Sequence, residues 1–467
     1  MSVSLNITAA RIDPALLDLP WTLPLNEWPD EVIAALPKGI SRHLVRFAHL
    51  SGHIVAVKET TDDMARGEYE MLMTLQRLEI PCVEPIAFLT NRHTAGGEPL
   101  KSVLITKHLT FSLPYRALFS GRMRKKTASR LVDSLSLLLV RLHNIGFFWG
   151  DVSLSNTLFL RDAGAFAAYL VDAETGKLFG KALSTGQREH DLEIARVNIA
   201  GELLDLQASG RLDESIDPVK IANRLQESYD SLWAELTQSE SFTSDETWRI
   251  RERVRRLNKL GFDIEEMSIT TDVSGTTVHI QPKVVDSGHH QRRLIRLTGL
   301  DAQENQARRL LNDLDEYVAR HREESHLPED MLAHQWLTEV FEPVIMAIPR
   351  EMKRKLQPAE VFHELLEYRW FESQRLERDI SLQDAVSSYI TEILAHRPDE
   401  ARLYDPPTGT FTVPVEVVYP DAAPVSPSTP PSGIFVDPLS PAISNADDEE
   451  EDPGYDPDDE IDWRKLV

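Results

Sequence analysis

Leu142-His143-Asn144-Ile145-Gly146-Phe147-Phe148-Trp149-Gly150-Asp151-Val152-Ser153-Leu154-Ser155-Asn156, with Ala168-Tyr169-Leu170-Val171-Asp172 a short way on, decides how this chain reads. The first stretch spells a helix end and then a loop carrying Asp-x4-Asn. The second is a buried-strand pattern that closes on another Asp. Upstream, Leu131, Leu135, Leu138, Leu139 and Leu142 recur at three- and four-residue intervals, so a well-buried helix ending at Asn144 delivers the chain into the loop.

On the amino-terminal side, Leu44 to Ala48 and Ile54 to Glu59 read as two strands joined by Ser51-Gly52-His53, a Gly-containing turn, so a hairpin is expected. Met64, Tyr69, Leu72, Leu75 and Leu78 then mark a helix over 63–79, which ends near Ile80-Pro81 because the residue before a proline is pushed out of the helical region. Further strands are expected at Val83 to Leu89 and Ser102 to Thr106. Residues 1 to about 35, punctuated by Pro and Trp, read as an irregular lead-in.

Length and composition bound the class. A chain of 467 residues is long enough for two or three domains with substantial cores, and its single cysteine, Cys82, fits a reducing compartment. Met1 to Pro20 lacks a basic segment followed by a long apolar run, and the longest apolar stretch, Leu135 to Val140, is far short of a membrane span. A cytoplasmic protein with no transmembrane segment is expected. The net charge is −25, and residues 406–467 carry −12 of it, as fourteen Asp or Glu against Arg464 and Lys465. That segment also holds twelve of the 28 prolines and the run Asp447-Asp448-Glu449-Glu450-Glu451-Asp452, so it is read as a disordered acidic tail, either a solubilising extension or the carrier of a docking motif at Ile461-Asp462-Trp463. The acidic balance argues against nucleic acid as a partner.

Transfer of a γ-phosphoryl group asks a protein for positioning and for charges that offset those of phosphate oxygens and metal. Lys58 ends Val55-Ala56-Val57-Lys58, where a strand-borne ammonium can reach phosphates, and Glu68, ten residues on, shares the inward helical face with Leu72 and Leu75 and is placed to pair with it. Asp151 is the candidate base, since a loop-held carboxylate can accept a hydroxyl proton. Asn156 and Asp172 are candidate ligands for Mg²⁺, which prefers hard oxygen donors. The competing structural reading makes Asp151 a turn cap and Asn156 a helix cap; it leaves unexplained why Lys, Glu, Asp, Asn and Asp follow in this order on these elements.

With those residues in view, positions 36 to about 205 resemble the bacterial lipopolysaccharide kinase family, of the Kdo and WaaP type, within the wider protein-kinase-like superfamily. The family segment Leu-His-x-x-Gly-x-x-His-Gly-Asp-x-x-x-x-Asn is matched at Leu142, His143, Gly146, Gly150, Asp151 and Asn156, with Trp149 where a His is usual. The resemblance implies ATP and Mg²⁺ as cofactors, Asp172 as the metal-binding Asp followed here by Ala173-Glu174, and Lys107-His108-Leu109 as the hinge that meets adenine. It also implies that Asp191 braces the catalytic loop, where the residues alone equally allow a helix-initiating cap. No Gly-x-Gly-x-x-Gly precedes Lys58; Lys38-Gly39-Ile40-Ser41-Arg42-His43 stands there instead. Gly150 replaces the Arg with which eukaryotic protein kinases answer a phosphorylated activation loop, so a small-molecule, glycan or lipid-linked hydroxyl is the expected acceptor.

The expected fold is therefore α+β: a lead-in over 1–35, a bilobal protein-kinase-like domain over 36–210, a mainly helical domain over 211–405 and the tail. Residues 211–405 resemble the carboxyl-terminal region of an uncharacterised bacterial two-domain family, with helices expected over 217–260, 301–323, 329–346, 350–376 and 381–396 and a strand-rich insert at 272–280. His289, His290, Arg292, Arg293, Arg296, Arg308 and Arg309, near Lys283, concentrate basic charge there. They read either as a binding surface for an anionic acceptor or as partners for Asp301, Glu304 and Asp313. The function expected is an ATP-dependent kinase; the rival is a nucleotide-binding pseudokinase or scaffold whose helical region or tail binds a protein partner.

Overall fold

Alternation along β-strands builds the first layer. A computed structural model of the chain describes residues 4–402 except 12, 35–42, 120–124, 244, 245, 247, 261, 272–276 and 326. The expectations for the tail, for most of the segment before Lys58 and for the turn of the 272–280 insert thus lie outside the described residues. Strands β1 (Asn6–Ala9), β2 (Val45–Leu50) and β3 (His53–Thr60) precede helix α1 (Asp62–Arg77), and β4 (Pro85–Thr90) and β5 (Ser102–Lys107) follow it. They form one antiparallel sheet in the order β1-β4-β5-β3-β2. The lead-in read as irregular thus supplies an edge strand, β1, whose four residues are too few to register as alternation.

Val55, Val57, Val103 and Ile105 point to one face of this sheet, where the lead-in covers them with Leu16, Trp21, Leu25 and Trp28. The intervening positions, Ala56, Lys58 and Leu104, therefore point to the opposite face. There α1 packs through Ala65, Tyr69, Leu72 and Leu75. Thr61 caps α1 by accepting from Met64 N, and Asp62 and Asp63 in its first turn suit the positive end of the helix dipole. The turn at Ser51 and Gly52 has both residues at positive φ, as the type I′ turn of a two-residue hairpin requires.

Short β6 (Leu113–Pro114) and α2 (Tyr115–Phe119) lead to α3 (Lys125–Asn144), a central helix with Leu131, Leu135, Leu139 and Leu142 fully buried. Gly146 follows at φ +83°, and any Cβ there would run into the Lys181 backbone carbonyl, so the tight exit from α3 demands glycine. Then come β7 (Phe147–Phe148), the Asp151 loop, the hairpin of β8 (Thr157–Asp162) and β9 (Ala165–Leu170), β10 (Lys177–Leu178) and α4 (Thr185–Ala208). Ser184, not Asp191, caps α4, in a capping box with Gln187.

Helix α5 (Pro218–Thr237) packs along α3, with Ser136 Oγ donating to the Leu225 carbonyl at 3.0 Å. Strand β11 (Glu240–Thr243), helix α6 (Trp248–Lys259) and strands β12 (Phe262–Thr271) and β13 (Thr277–Ser287) form a hairpin-based insert, a three-stranded sheet ordered β11-β13-β12. Helices α7 (His289–Thr298), α8 (Glu304–Ser325), α9 (Glu329–Trp336), α10 (Glu342–Ala347), α11 (Pro358–Arg375) and α12 (Leu382–Glu392) complete the described chain; a single wider turn at Leu337–Phe341 links α9 to α10. The helix expected from 350 starts only at Pro358, whose fixed φ suits a first helical turn.

This helical layer grips the far end of the β8–β9 hairpin. Asp162 accepts from Gln306 N at 2.8 Å and Asn305 Nδ2 at 2.9 Å, Glu360 accepts from Ala163 N at 3.0 Å, and Arg161 pairs with Glu400 at 2.7 Å. Burial pushes the Asp162 carboxyl up to about 6, against those hydrogen bonds. Three basic residues of α7 form similar pairs: His290 lies 2.7 Å from Glu304, Arg292 2.9 Å from Glu79 and Arg293 2.7 Å from Asp315. Among the described residues no helix is long and apolar enough to cross a membrane.

Candidate active site

A cavity of about 590 Å³ lies where the exposed end of the first sheet meets the Asp151 loop, and it is lined by Lys58, Glu68, Lys107, His108, Leu109, Asp151, Asn156 and Asp172 together. Residues spread over 115 positions of sequence therefore converge, within the 300–1,000 Å³ range typical of small-ligand sites. The described members of the basic cluster of α7 and α8 are not among its walls. Of the two readings of that cluster, pairing with carboxylates holds for His290, Arg292 and Arg293, which meet Glu304, Glu79 and Asp315.

Lys58 is the electrostatic centre. Its Nζ lies 3.0 Å from Glu68 Oε2, 2.8 Å from Asp172 Oδ2 and 3.0 Å from Glu174 Oε2. Burial alone would lower the Lys58 pKa, yet the Glu68 and Asp172 carboxylates outweigh it and hold the ammonium well above its ordinary value. Three carboxylates face one ammonium, and their nearest oxygens all lie within 4.8 Å of one another. Glu68, only 3 % exposed, registers the excess: burial and then the Asp172 charge push its carboxyl up to about 8, against the pull of Lys58. Glu174 Oε2 is buried, 3.0 Å from His43 Nε2 as well as from Lys58, without an aligned hydrogen bond.

The sign of that shift gives a test. Because the folded chain holds the Glu68 proton more tightly than the ordinary value of 4.5 allows, its contribution to stability is full below about 4.5 and is lost as pH rises toward about 8. Glu68→Gln is expected to flatten this dependence, so that the difference in melting temperature, variant minus wild type, rises between pH 5 and pH 8. A difference independent of pH would contradict the shift.

The Asp151 loop is held from three sides. Asn156 Nδ2 donates to the Asp151 carbonyl at 3.0 Å and to Oδ2 at 3.2 Å, and Asn198 Nδ2 approaches Oδ1 at 3.4 Å. From below, Asp191, fully buried, accepts from Trp149 N at 2.9 Å and Gly150 N at 2.8 Å, so it braces the loop and caps no helix. Glu202 accepts from Leu154 N at 2.7 Å and Ser155 N at 3.0 Å. Trp149, the departure from the family segment, is fully buried, and its indole N–H donates to the Asp172 carbonyl at 2.8 Å. One side chain thereby ties the Asp151 loop to the Asp172 segment.

At the other end of the cavity, Lys107 N donates to the Glu84 carbonyl at 2.8 Å and His108 N to the Ile54 carbonyl at 2.9 Å. Among the described residues the next amide, Leu109 N–H, has no hydrogen-bond partner. Burial brings the His108 imidazole down to about 4, so it is neutral at pH 7, edge-on to Phe47 at 5.5 Å.

Reading the sequence alone missed Glu174, Asn198 and Glu202. Asp191, Asn198 and Glu202 are spaced by seven and then four residues, which puts them on one face of α4, and that spacing was the available signal. Glu174 had no periodic signal, since it sits in a loop two residues beyond Asp172.

Residues 231–394 match the family model described as "Domain of unknown function (DUF4032)", a span that begins within α5 and ends just after α12. No curated protein matches the chain. One solved structure to which it is similar is described as "WaaP in complex with acyl carrier protein", with a TM-score of 0.31 and 14% identity over 50% of this chain and 90% of that chain.

Proposed function

We propose that the chain is an ATP-dependent phosphotransferase acting on a hydroxyl of a sugar, lipid-linked or other small-molecule acceptor, with residues 36–210 as a bilobal protein-kinase-like unit. The observation that carries this reading is the Lys58 ammonium, paired with Glu68 at 3.0 Å and Asp172 at 2.8 Å, in the same cavity as Asp151 and Asn156. An ion pair between strand and helix fixes an otherwise flexible ammonium where phosphate oxygens can replace the Asp172 contact. Leu109 N–H and the neutral wall around His108 suit a purine edge.

In the proposed step, Asp151 takes the proton of the acceptor hydroxyl while its oxygen bonds to the γ-phosphorus. The bond from that phosphorus to the β-phosphate oxygen breaks, and ADP leaves with the electron pair. Asn156 and Asn198 orient the Asp151 carboxylate for this. The donor set fits Mg²⁺, since Asp172, Asn156 and the neighbouring Glu174 offer hard oxygens and the carboxylates exceed the ammonium in number. Bound Mg²⁺ would offset charge on the phosphate oxygens.

A second reading, a nucleotide-binding regulatory or scaffold module without turnover, draws on Glu174, which also engages Lys58. Thermal shift with ATP, with and without Mg²⁺, followed by turnover, separates the two. Nucleotide at about a hundred times its Kd is expected to raise the melting temperature by about 3 °C. A shift with phosphorylated product supports the transferase, a shift without product supports the module, and the absence of any shift removes both.

A further inference from the structure

We propose that Tyr229 is a positioning residue for this transfer: from α5, outside residues 36–210, it holds Asp151 in place through a buried chain of hydrogen bonds. The inference rests on the reading of Asp151 as the base. The Tyr229 hydroxyl lies 2.8 Å from His143 Nδ1, and His143 Nε2 lies 3.1 Å from Asp191 Oδ2. Asp191 in turn accepts from the amides of Trp149 and Gly150, the two residues before Asp151. Tyr229 is 2 % exposed, and His143 and Asp191 are fully buried.

The chain has a direction. Both Asp191 oxygens already accept from backbone amides, so Asp191 faces His143 as an acceptor and His143 Nε2 carries the hydrogen it donates. Burial, outweighing the pull of Asp191, keeps His143 below its ordinary pKa, so the ring is neutral and Nδ1 is an acceptor. Only a donor can then face Nδ1, and Tyr229 O–H supplies it. The hydroxyl thereby selects the tautomer that lets His143 steady Asp191.

Tyr229 is itself well fixed. Its ring stacks on Trp233 at 5.8 Å and meets His143 edge-on at 5.3 Å, while the Arg188 guanidinium lies 4.1 Å over Trp233. A phenyl ring would fill the same space but leave Nδ1 unpaired, and the imidazole would then be free to exchange tautomers or turn. Asp191 would lose its donor, and the amides it holds would loosen.

The test is Tyr229→Phe in the full chain. Hydrogen exchange at the Trp149 and Gly150 amides is expected to quicken by about tenfold while α3 and α5 keep their protection. Turnover, kcat, should fall by about tenfold with KM for ATP nearly unchanged, since the nucleotide contacts are untouched. Unchanged exchange at those two amides, or a loss of kcat that merely follows the loss of melting temperature, overturns the proposal. Should the variant not fold, ¹⁵N signals of the His143 ring in the wild-type chain decide. Hydrogen on Nε2 supports the chain as drawn, and hydrogen on Nδ1 overturns it. A wild type without turnover would remove the transferase reading, while exchange and tautomer would still judge Tyr229.

Discussion

Asp151→Ala is expected to lower phosphoryl transfer by about 10³-fold while nucleotide binding survives, because in the proposed step this carboxylate takes the acceptor proton and holds no part of the nucleotide. Asp172→Ala should lower turnover at least as far and also abolish the dependence of nucleotide binding on Mg²⁺, since it removes a hard oxygen donor and one of the three carboxylates around Lys58. The contrast matters more than either loss. Turnover in both variants, measured as product formed per enzyme, and ATP affinity with and without Mg²⁺ read it out. If Asp151→Ala turned over at the wild-type rate, its role as base would be gone.

Asp191→Ala carries the largest expected loss of stability, on the order of 4 kcal/mol. The carboxylate is fully buried and serves three groups: Trp149 N, Gly150 N and His143 Nε2. Alanine would strand two buried amides and an imidazole, each at about 1–3 kcal/mol. Chemical denaturation measures the loss, and Asp191→Asn, which keeps one acceptor oxygen, should recover part of it. Turnover in folded Asp191→Ala should also drop, because the loop that carries Asp151 is no longer held. A loss under about 1 kcal/mol would show that water or a shifted neighbour serves these amides instead.

Much of this arrangement is written locally. The β2–β3 hairpin follows from alternation and from Ser51-Gly52, and α1 from Thr61 followed by two Asp and apolar spacing that also places Glu68 inward. Asp151 and Asn156 share one loop, so five residues of chain suffice to bring them together. Asp191 was ambiguous because a helix start and a mid-helix brace look alike until Ser184 is seen to hold the cap.

Other features have no local trace. The grip of Trp149 on the Asp172 carbonyl depends on two loops meeting, and no spacing rule links an indole to a distant backbone oxygen. The loop at 209–217 interrupts the helical periodicity, yet α5 beyond it lies along α3 and brings Tyr229 to His143. Apolar periodicity reports that a helix has a face to bury and is silent on which surface will cover it. The arginines of α7 were open to two readings for a related reason: a run of like charges looks the same in sequence whether it meets a ligand or, as Arg292 and Arg293 do, the carboxylates Glu79, Asp315 and Glu329 of neighbouring elements.

The order of chemical groups along the chain and the elements that bear them are thus properties of the sequence, because backbone preference and side-chain period act over a few residues. The meeting of Lys58 with Asp172 across 114 positions, the added carboxylate of Glu174 and the buried path from Tyr229 to the amides of Trp149 and Gly150 belong to the tertiary structure. Those contacts are set by which faces exclude water against one another, and burial of that kind is a property of the whole packed chain.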